Sequence, residues 1–129
     1  ILVVDDNEGV RKSLTGLLEA EDYTVDTAAS GSEAIEKSRK LHYDLALLDI
    51  RLPDMEGTRL LKEMEMGKPR MKTIVITGYA TLENAVEALN LGADAYLEKP
   101  IDQEKLLKII REKLRERQSE HQKATVEEK

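Results

Sequence analysis

Five polar residues carry the chemistry that this sequence suggests: Asp5, Asp6, Asp49, Thr77 and Lys99. Each lies at or just past the end of a short apolar run, and ligands of an open α/β sheet bind outside the carboxyl ends of its strands. If the runs are neighbouring parallel strands, three carboxylates, a hydroxyl and an ammonium group converge on one rim. Three carboxylates a few ångströms apart repel, and must either hold protons or gather a cation. Hard oxygen ligands without His or Cys suit Mg²⁺, with Mn²⁺ as a substitute, and leave room for phosphate oxygens. The chemistry of such a set is phosphoryl transfer to a carboxylate, with Asp49 as the nucleophile. An ion on Asp6 and Asp49, the Lys99 ammonium and the Thr77 hydroxyl can each neutralise one equatorial oxygen. Taken singly, the residues have plainer roles. Asp5 or Asp6 can cap the first helix, Thr77 can start a turn, and Lys99 can be a solvated surface charge.

The elements that must position this set alternate strand and helix five times. Ile1–Val4 is a short apolar run, as expected of a strand buried on both faces, and Val10, Leu14, Leu17 and Leu18 follow at helical spacing. Tyr23–Ala28 reads as a second strand after a turn at Glu21-Asp22. Ser30-Gly31-Ser32 opens a second helix, with Ala34, Ile35 and Ser38 on one face. Asp44–Leu48 is a third strand, and Leu60, Leu61 and Met64 mark a helix after Gly57. Thr73–Ile76 is a β-branched fourth strand. Thr81 caps a fourth helix that ends at Gly92. Ala93–Leu97 is a fifth strand, and Asp102 starts the last helix. This alternation predicts an α/β fold of three layers with parallel crossovers. Periodicity alone does not decide among the doubly wound orders, and the flavodoxin-like (βα)5 sandwich with a five-stranded parallel sheet of order 2-1-3-4-5 is chosen because it gathers the polar strand ends on one rim.

Composition narrows the function classes. The 129 residues are enough for one domain with one sizeable core. There is no Cys, which removes disulfides and Cys-ligated metals. The net charge of -6 argues against non-specific nucleic-acid binding. The longest apolar runs are a few residues, too short for a membrane span, and no signal-peptide pattern is visible. The chain opens on Ile1 inside a strand, and is read as a piece of a longer protein.

Four segments resemble the bacterial response-regulator receiver family, over Ile1 to about Leu114. They are Ile1-Leu2-Val3-Val4-Asp5-Asp6-Asn7, Asp49-Ile50-Arg51-Leu52-Pro53-Asp54-Met55-Glu56-Gly57, Ile76-Thr77-Gly78 and Tyr96-Leu97-Glu98-Lys99-Pro100. The resemblance implies a signalling switch without separate substrate turnover, acting in a two-component phosphorelay in the cytoplasm. It implies that Asp49 is phosphorylated by a phosphohistidine on a sensor kinase. Mg²⁺ would be held by Asp5, Asp6, Asp49 and the backbone carbonyl of Arg51, with Asp6 the direct ligand and Asp5 acting through water. Lys99 would bind the phosphoryl group beside a cis Lys99-Pro100 bond. Thr77 and Tyr96 would move together as the switch. The residues two after the phosphoacceptor and two after the switch Thr tune hydrolysis in this family. Here they are Arg51 and Tyr79, bulky and unsuited to orienting water, which implies a long-lived phosphorylated form.

The chain is expected to divide into a receiver domain, residues 1–114, and a charged segment, 115–129, read as an extended helix and linker or as a tail, and expected to lead to an output domain outside this sequence. Leu106, Leu107, Ile110 and Leu114 dock the last helix, and a helical pattern runs on through Lys123. Asp102–Lys123 as one helix is about 33 Å long against about 17 Å for a five-residue strand, so it overruns the body. The overrun reads as a frayed, solvated tail, or else as a helical connector to an output domain or a weak dimer seam. His121 reads as a surface residue. Expected partners are the sensor kinase, an output domain or downstream protein, and a second copy. A homodimer would use the fourth helix, fifth strand and fifth helix, or the extended last helix. Nothing in the segment itself reads DNA. Gly78-Tyr79-Ala80-Thr81 and the long last helix resemble receivers that precede transcriptional ATPase modules. Two other classes are weighed. An aspartyl-phosphate hydrolase of the haloacid-dehalogenase type needs an acid two residues after the nucleophile, where Arg51 stands. An inert pseudo-receiver would be expected to have lost Asp49, an acid or Lys99, and all are present.

Overall fold

The computed structural model describes residues 1–67, 71–78 and 80–127, with side chains for 1–64, 71–78 and 80–120. Tyr79 and the His121 side chain therefore lie outside the described residues. The elements run β1 (Leu2–Val4), α1 (Glu8–Glu19), β2 (Asp26–Ala28), α2 (Gly31–Lys40) and β3 (Leu45–Leu48). They continue with α3 (Gly57–Gly67), β4 (Lys72–Thr77), α4 (Leu82–Asn90), β5 (Ala95–Glu98) and α5 (Gln103–Glu127). All strand pairs are parallel, as the alternation predicts, and their order is the expected β2-β1-β3-β4-β5.

Side chains on a strand alternate between faces, so one short apolar strand feeds two cores. Leu2 and Val4 join Ala46, Leu48 and Val75 under Ala34 of α2, Leu60, Leu61 and Met64 of α3, and Ala88 of α4. Val3 faces the other way with Leu45, Leu47, Ile74 and Ile76, under Leu14 and Leu18 of α1 and Leu106 and Ile110 of α5. This is the three-layer sandwich. It aligns the carboxyl ends of the three central strands on one rim.

The boundaries differ from the sequence reading where backbone groups are claimed elsewhere. Tyr23 does not begin β2, because its N–H is spent on the Leu18 carbonyl at the end of α1 (3.1 Å). Ala93 does not begin β5, because its N–H returns to Ala88 (3.0 Å) past Gly92, which sits at φ 104°. Asp102 precedes the last helix rather than starting it, and its side chain accepts the Lys105 N–H (3.2 Å). The cap of α1 is Asn7, whose side chain accepts the Val10 N–H (3.0 Å). Neither Asp5 nor Asp6 has that task.

Helix α5 spans 25 residues, about 37 Å, and passes the amino ends of the central strands. There Arg117 pairs with Asp44 (3.1 Å) and Glu120 with Lys72 (2.9 Å). Lys72 is buried at the start of β4, with Asp94 also nearby (3.6 Å). Burial alone would lower its pKa. The hydrogen bond to Glu120 and the charges of Asp94 and Glu120 reverse this and raise it.

The loop from β3 to α3 turns within van der Waals reach of its own start. A Cβ on Gly57 would lie 2.4 Å from Ile50 Cα and 2.7 Å from the Asp49 carbonyl oxygen, both backbone atoms that cannot step aside. Gly57→Ala is expected to destabilise the fold by roughly 1–3 kcal/mol through overpacking. A lowered urea midpoint at unchanged slope checks this; an unchanged midpoint refutes it.

Candidate functional site

The sheet grips both key acids one residue beyond the strands that carry them. Asp5 N–H donates to the Ala28 carbonyl (3.1 Å), and Asp49 N–H to the Val4 carbonyl (3.0 Å). Their backbones are thus held in register across β2, β1 and β3 while their side chains leave the sheet. Asp5 Oδ1 accepts the Asn7 N–H (2.9 Å), and Asp49 Oδ1 accepts the Arg51 N–H (3.0 Å). The second oxygen of each carboxylate accepts from the same ammonium: Lys99 Nζ lies 2.8 Å from Asp5 Oδ2 and 3.0 Å from Asp49 Oδ2. Lys99 is placed by its own N–H, which donates to the Thr77 carbonyl (2.9 Å), and its bond to Pro100 is cis.

Asp5 and Asp49 are 4% and 7% exposed, whereas Asp6 is open to solvent. One oxygen from each of the three acids fits within 4.8 Å of the others. Three formal negative charges face one ammonium, leaving an excess of two. Burial would lower the Lys99 pKa, but hydrogen bonds and charge from Asp5 and Asp49 outweigh it and raise it. The ammonium therefore stays charged and cannot relieve the excess by itself. An oxygen-only donor set with uncompensated charge and one open side fits a hard divalent cation.

Of the other residues singled out from sequence, Thr77 is fully buried at the end of β4 and meets the site through its bond to Lys99. Arg51 contributes its backbone, while its side chain is exposed. Tyr96 lies on β5 and packs on the cluster under α2, α3 and α4. Its hydroxyl is buried, and the Thr81 backbone approaches it without completing a hydrogen bond. Burial raises its pKa, against a lowering influence of Thr81, and Glu98 adds to the rise.

Sequence reasoning missed three contributors. Asn7 both caps α1 and donates to Asp5, and an Asn just before a helical pattern is a readable signal for the first role. Arg11 reaches back six residues to the Asp5 carbonyl (2.8 Å), which no local pattern announces. Asp54 bonds to residues more than twenty positions away, which only the fold reveals.

Among the described residues, no helix is long and apolar enough to cross a membrane. Residues 1–111 match the family model of the response regulator receiver domain. The regulatory protein AtoC of Escherichia coli is 39% identical over 114 residues, covering 88% of this chain and 25% of AtoC. The chain thus spans about a quarter of the length of the curated relatives it first matches. A CheY-like response regulator receiver domain protein from Methanospirillum hungatei has a similar structure. It is 48% identical with a TM-score of 0.90, over 92% of this chain and 95% of that one. A response regulator from Burkholderia pseudomallei, solved with a phosphorylated aspartic acid, calcium ion and citrate, is 32% identical with a TM-score of 0.82. That match covers 93% of this chain and 71% of that one. With its fold, its acid rim and these matches together, the chain belongs to the response regulator receiver domain family of two-component systems.

Proposed function

We propose that Asp49 accepts a phosphoryl group from the phosphohistidine of a sensor kinase, and that this event switches a surface around α4 and β5. The observation that carries the reading is the shared ammonium: Lys99 bridges Asp5 and Asp49 at 2.8 and 3.0 Å at the carboxyl ends of the central strands. A carboxylate oxygen of Asp49 attacks phosphorus as the P–N bond breaks, and the electron pair returns to the departing imidazole. The Arg51 N–H holds Asp49 Oδ1 and so orients the carboxylate. As Asp49 becomes an acyl phosphate, Lys99 keeps Asp5 and follows the new phosphoryl oxygens. The Thr77 hydroxyl binds another of those oxygens, and Tyr96 responds to its displacement. Asp5, Asp6, Asp49 and the Arg51 carbonyl would hold Mg²⁺, which when bound neutralises phosphoryl charge.

The Burkholderia pseudomallei neighbour supports this, because its structure holds a phosphorylated aspartic acid and a calcium ion on the same fold. On the switching face, Leu82, Val86 and Leu89 of α4 are 82%, 48% and 50% exposed, and offer apolar contact to an output domain, a downstream protein or a second copy. The setting of such a relay is the cytoplasm. An aspartyl-phosphate hydrolase is disfavoured because Arg51 presents no acid to the site.

A small acyl phosphate donor with Mg²⁺ is expected to add one phosphoryl group to the chain and none to Asp49→Asn, read by intact mass. Labelling that survives the substitution sinks the assignment. Asp6→Asn is expected to raise the stability of the metal-free protein by roughly 1 kcal/mol, the repulsion of two charges several ångströms apart near water. The same change removes the stabilisation that millimolar Mg²⁺ gives the wild type in a thermal melt. A variant less stable than wild type without metal contradicts the charge-excess account. Arg51→Ala combined with Tyr79→Ala is expected to hasten loss of the phosphoryl group several-fold, and slower loss counts against a shielding role.

A further inference from the structure

Arg51 lies outside the named strands, three residues past the end of β3. It lies on the loop from Ile50 to Glu56, whose internal bonding fixes its shape. Arg51 and Glu56 form an antiparallel bridge, and the Gly57 N–H donates to the Ile50 carbonyl at 2.5 Å. Those bonds close the loop on itself without saying where its tip lies against the rim. Asp54 supplies that. Its Oδ1 accepts the Gly31 N–H (2.8 Å), and its Oδ2 accepts both the Ser32 N–H (2.9 Å) and the Ser32 hydroxyl (2.7 Å). Gly31 and Ser32 are the first residues of α2, whose N–H groups have no partner within the helix and favour negative charge. Ser30 takes the Glu33 N–H (3.2 Å), so the two side chains divide the orphan donors between them. The Ser32 hydroxyl and the backbone N–H groups of Ser32 and Gly31 hold the Asp54 carboxyl down to about 2. An apolar contact seals the dock. A Cβ on Gly31 would lie 2.4 Å from Met55 Cγ, so the absence of a side chain there lets Met55 lie against the helix.

These contacts complete a ring around the acids. Asp49 is bonded to Val4, Asp5 to Ala28, and Ala28 leads in three residues to Gly31. Asp54 then joins Gly31 back to the loop that begins at Asp49. Cutting the ring at Asp54 leaves Asp5 and Asp49 on their strands but unties the loop that carries Arg51 from the start of α2.

We infer that Asp54 is a positioning residue of the phosphoacceptor site: by tying the loop to the start of α2, it holds the Arg51 backbone where the cation must bind. This rests on the reading of Asp49 as phosphoacceptor and of the Arg51 carbonyl as a ligand. Outer contacts that orient ligands typically govern metal affinity, and losing one weakens it by tenfold or more.

The test uses the full chain and two readouts. Mn²⁺ affinity is measured by electron paramagnetic resonance without phosphodonor. The Mg²⁺ concentration for half-maximal phosphorylation is measured with acetyl phosphate. Asp54→Ala is expected to weaken Mn²⁺ binding and raise the half-maximal Mg²⁺ by about tenfold, with the rate at saturating Mg²⁺ within about twofold of wild type. Asp54→Asn, which keeps one acceptor oxygen, falls between the two. Ser32→Ala added to Asp54→Ala costs nothing further. Wild-type affinity in a folded Asp54→Ala overturns the inference, as does a slower saturated rate at unchanged affinity. Should Asp54→Ala not fold, Ser32→Ala alone must weaken Mn²⁺ binding, and an unchanged affinity overturns the inference equally. A wild type that binds neither ion overturns the underlying reading of the site as well.

Discussion

The structure is organised around an imbalance of charge. Three aspartates meet within 4.8 Å and one ammonium answers them. Like charges at that spacing separate unless something prevents it, so the fold must supply rigid support at the point of greatest repulsion. The support comes from the sheet. Asp5 and Asp49 are each bonded through their N–H to a neighbouring strand, so their backbones cannot retreat. Burying the central strands on both faces makes that grip firm, because every residue of β1, β3 and β4 is buried. The two cores, the parallel register and the short strands all serve to place repelling groups side by side and keep them there.

Much of this was legible in the residues. The apolar runs are short, β-branched or Leu-rich, and separated by helical periods, which leaves an alternating α/β sandwich as the natural solution. The strand-end positions of Asp5, Asp49, Thr77 and Lys99 follow from the runs themselves. The cap of α1 was readable and missed: Asp5 and Asp6 are cap candidates by type, but Asn7 is one as well. The structure gives the cap to Asn7, one position nearer the helix. The limits of β2 and β5 could not be read from hydrophobicity. Tyr23 and Val25 are apolar because they cover the face of α1 and α5, while the Tyr23 N–H is committed to a helix end. Asp54 and Arg11 were invisible for a different reason. Their partners are brought near only by the finished fold.

The two ends of β4 carry different loads. Its carboxyl end bears Thr77, bonded through its carbonyl to Lys99. Its amino end bears the buried Lys72, which meets Glu120 on the overrunning part of α5. A buried ammonium demands partners, and here one comes from Glu120, late in α5. The overrun is therefore seated on the domain through Lys72 and Asp44 along its described length.

The cap at Asn7 has an evolutionary consequence. Because Asn7 secures the first helix, the exposed Asp6 is spared that task, and replacing it with an amide relieves repulsion rather than unwinding a turn. Chemistry and folding are thus separable by single substitutions. A variant that lacks the exposed acid of the rim while keeping the surface of the receiver fold intact lies one mutational step away.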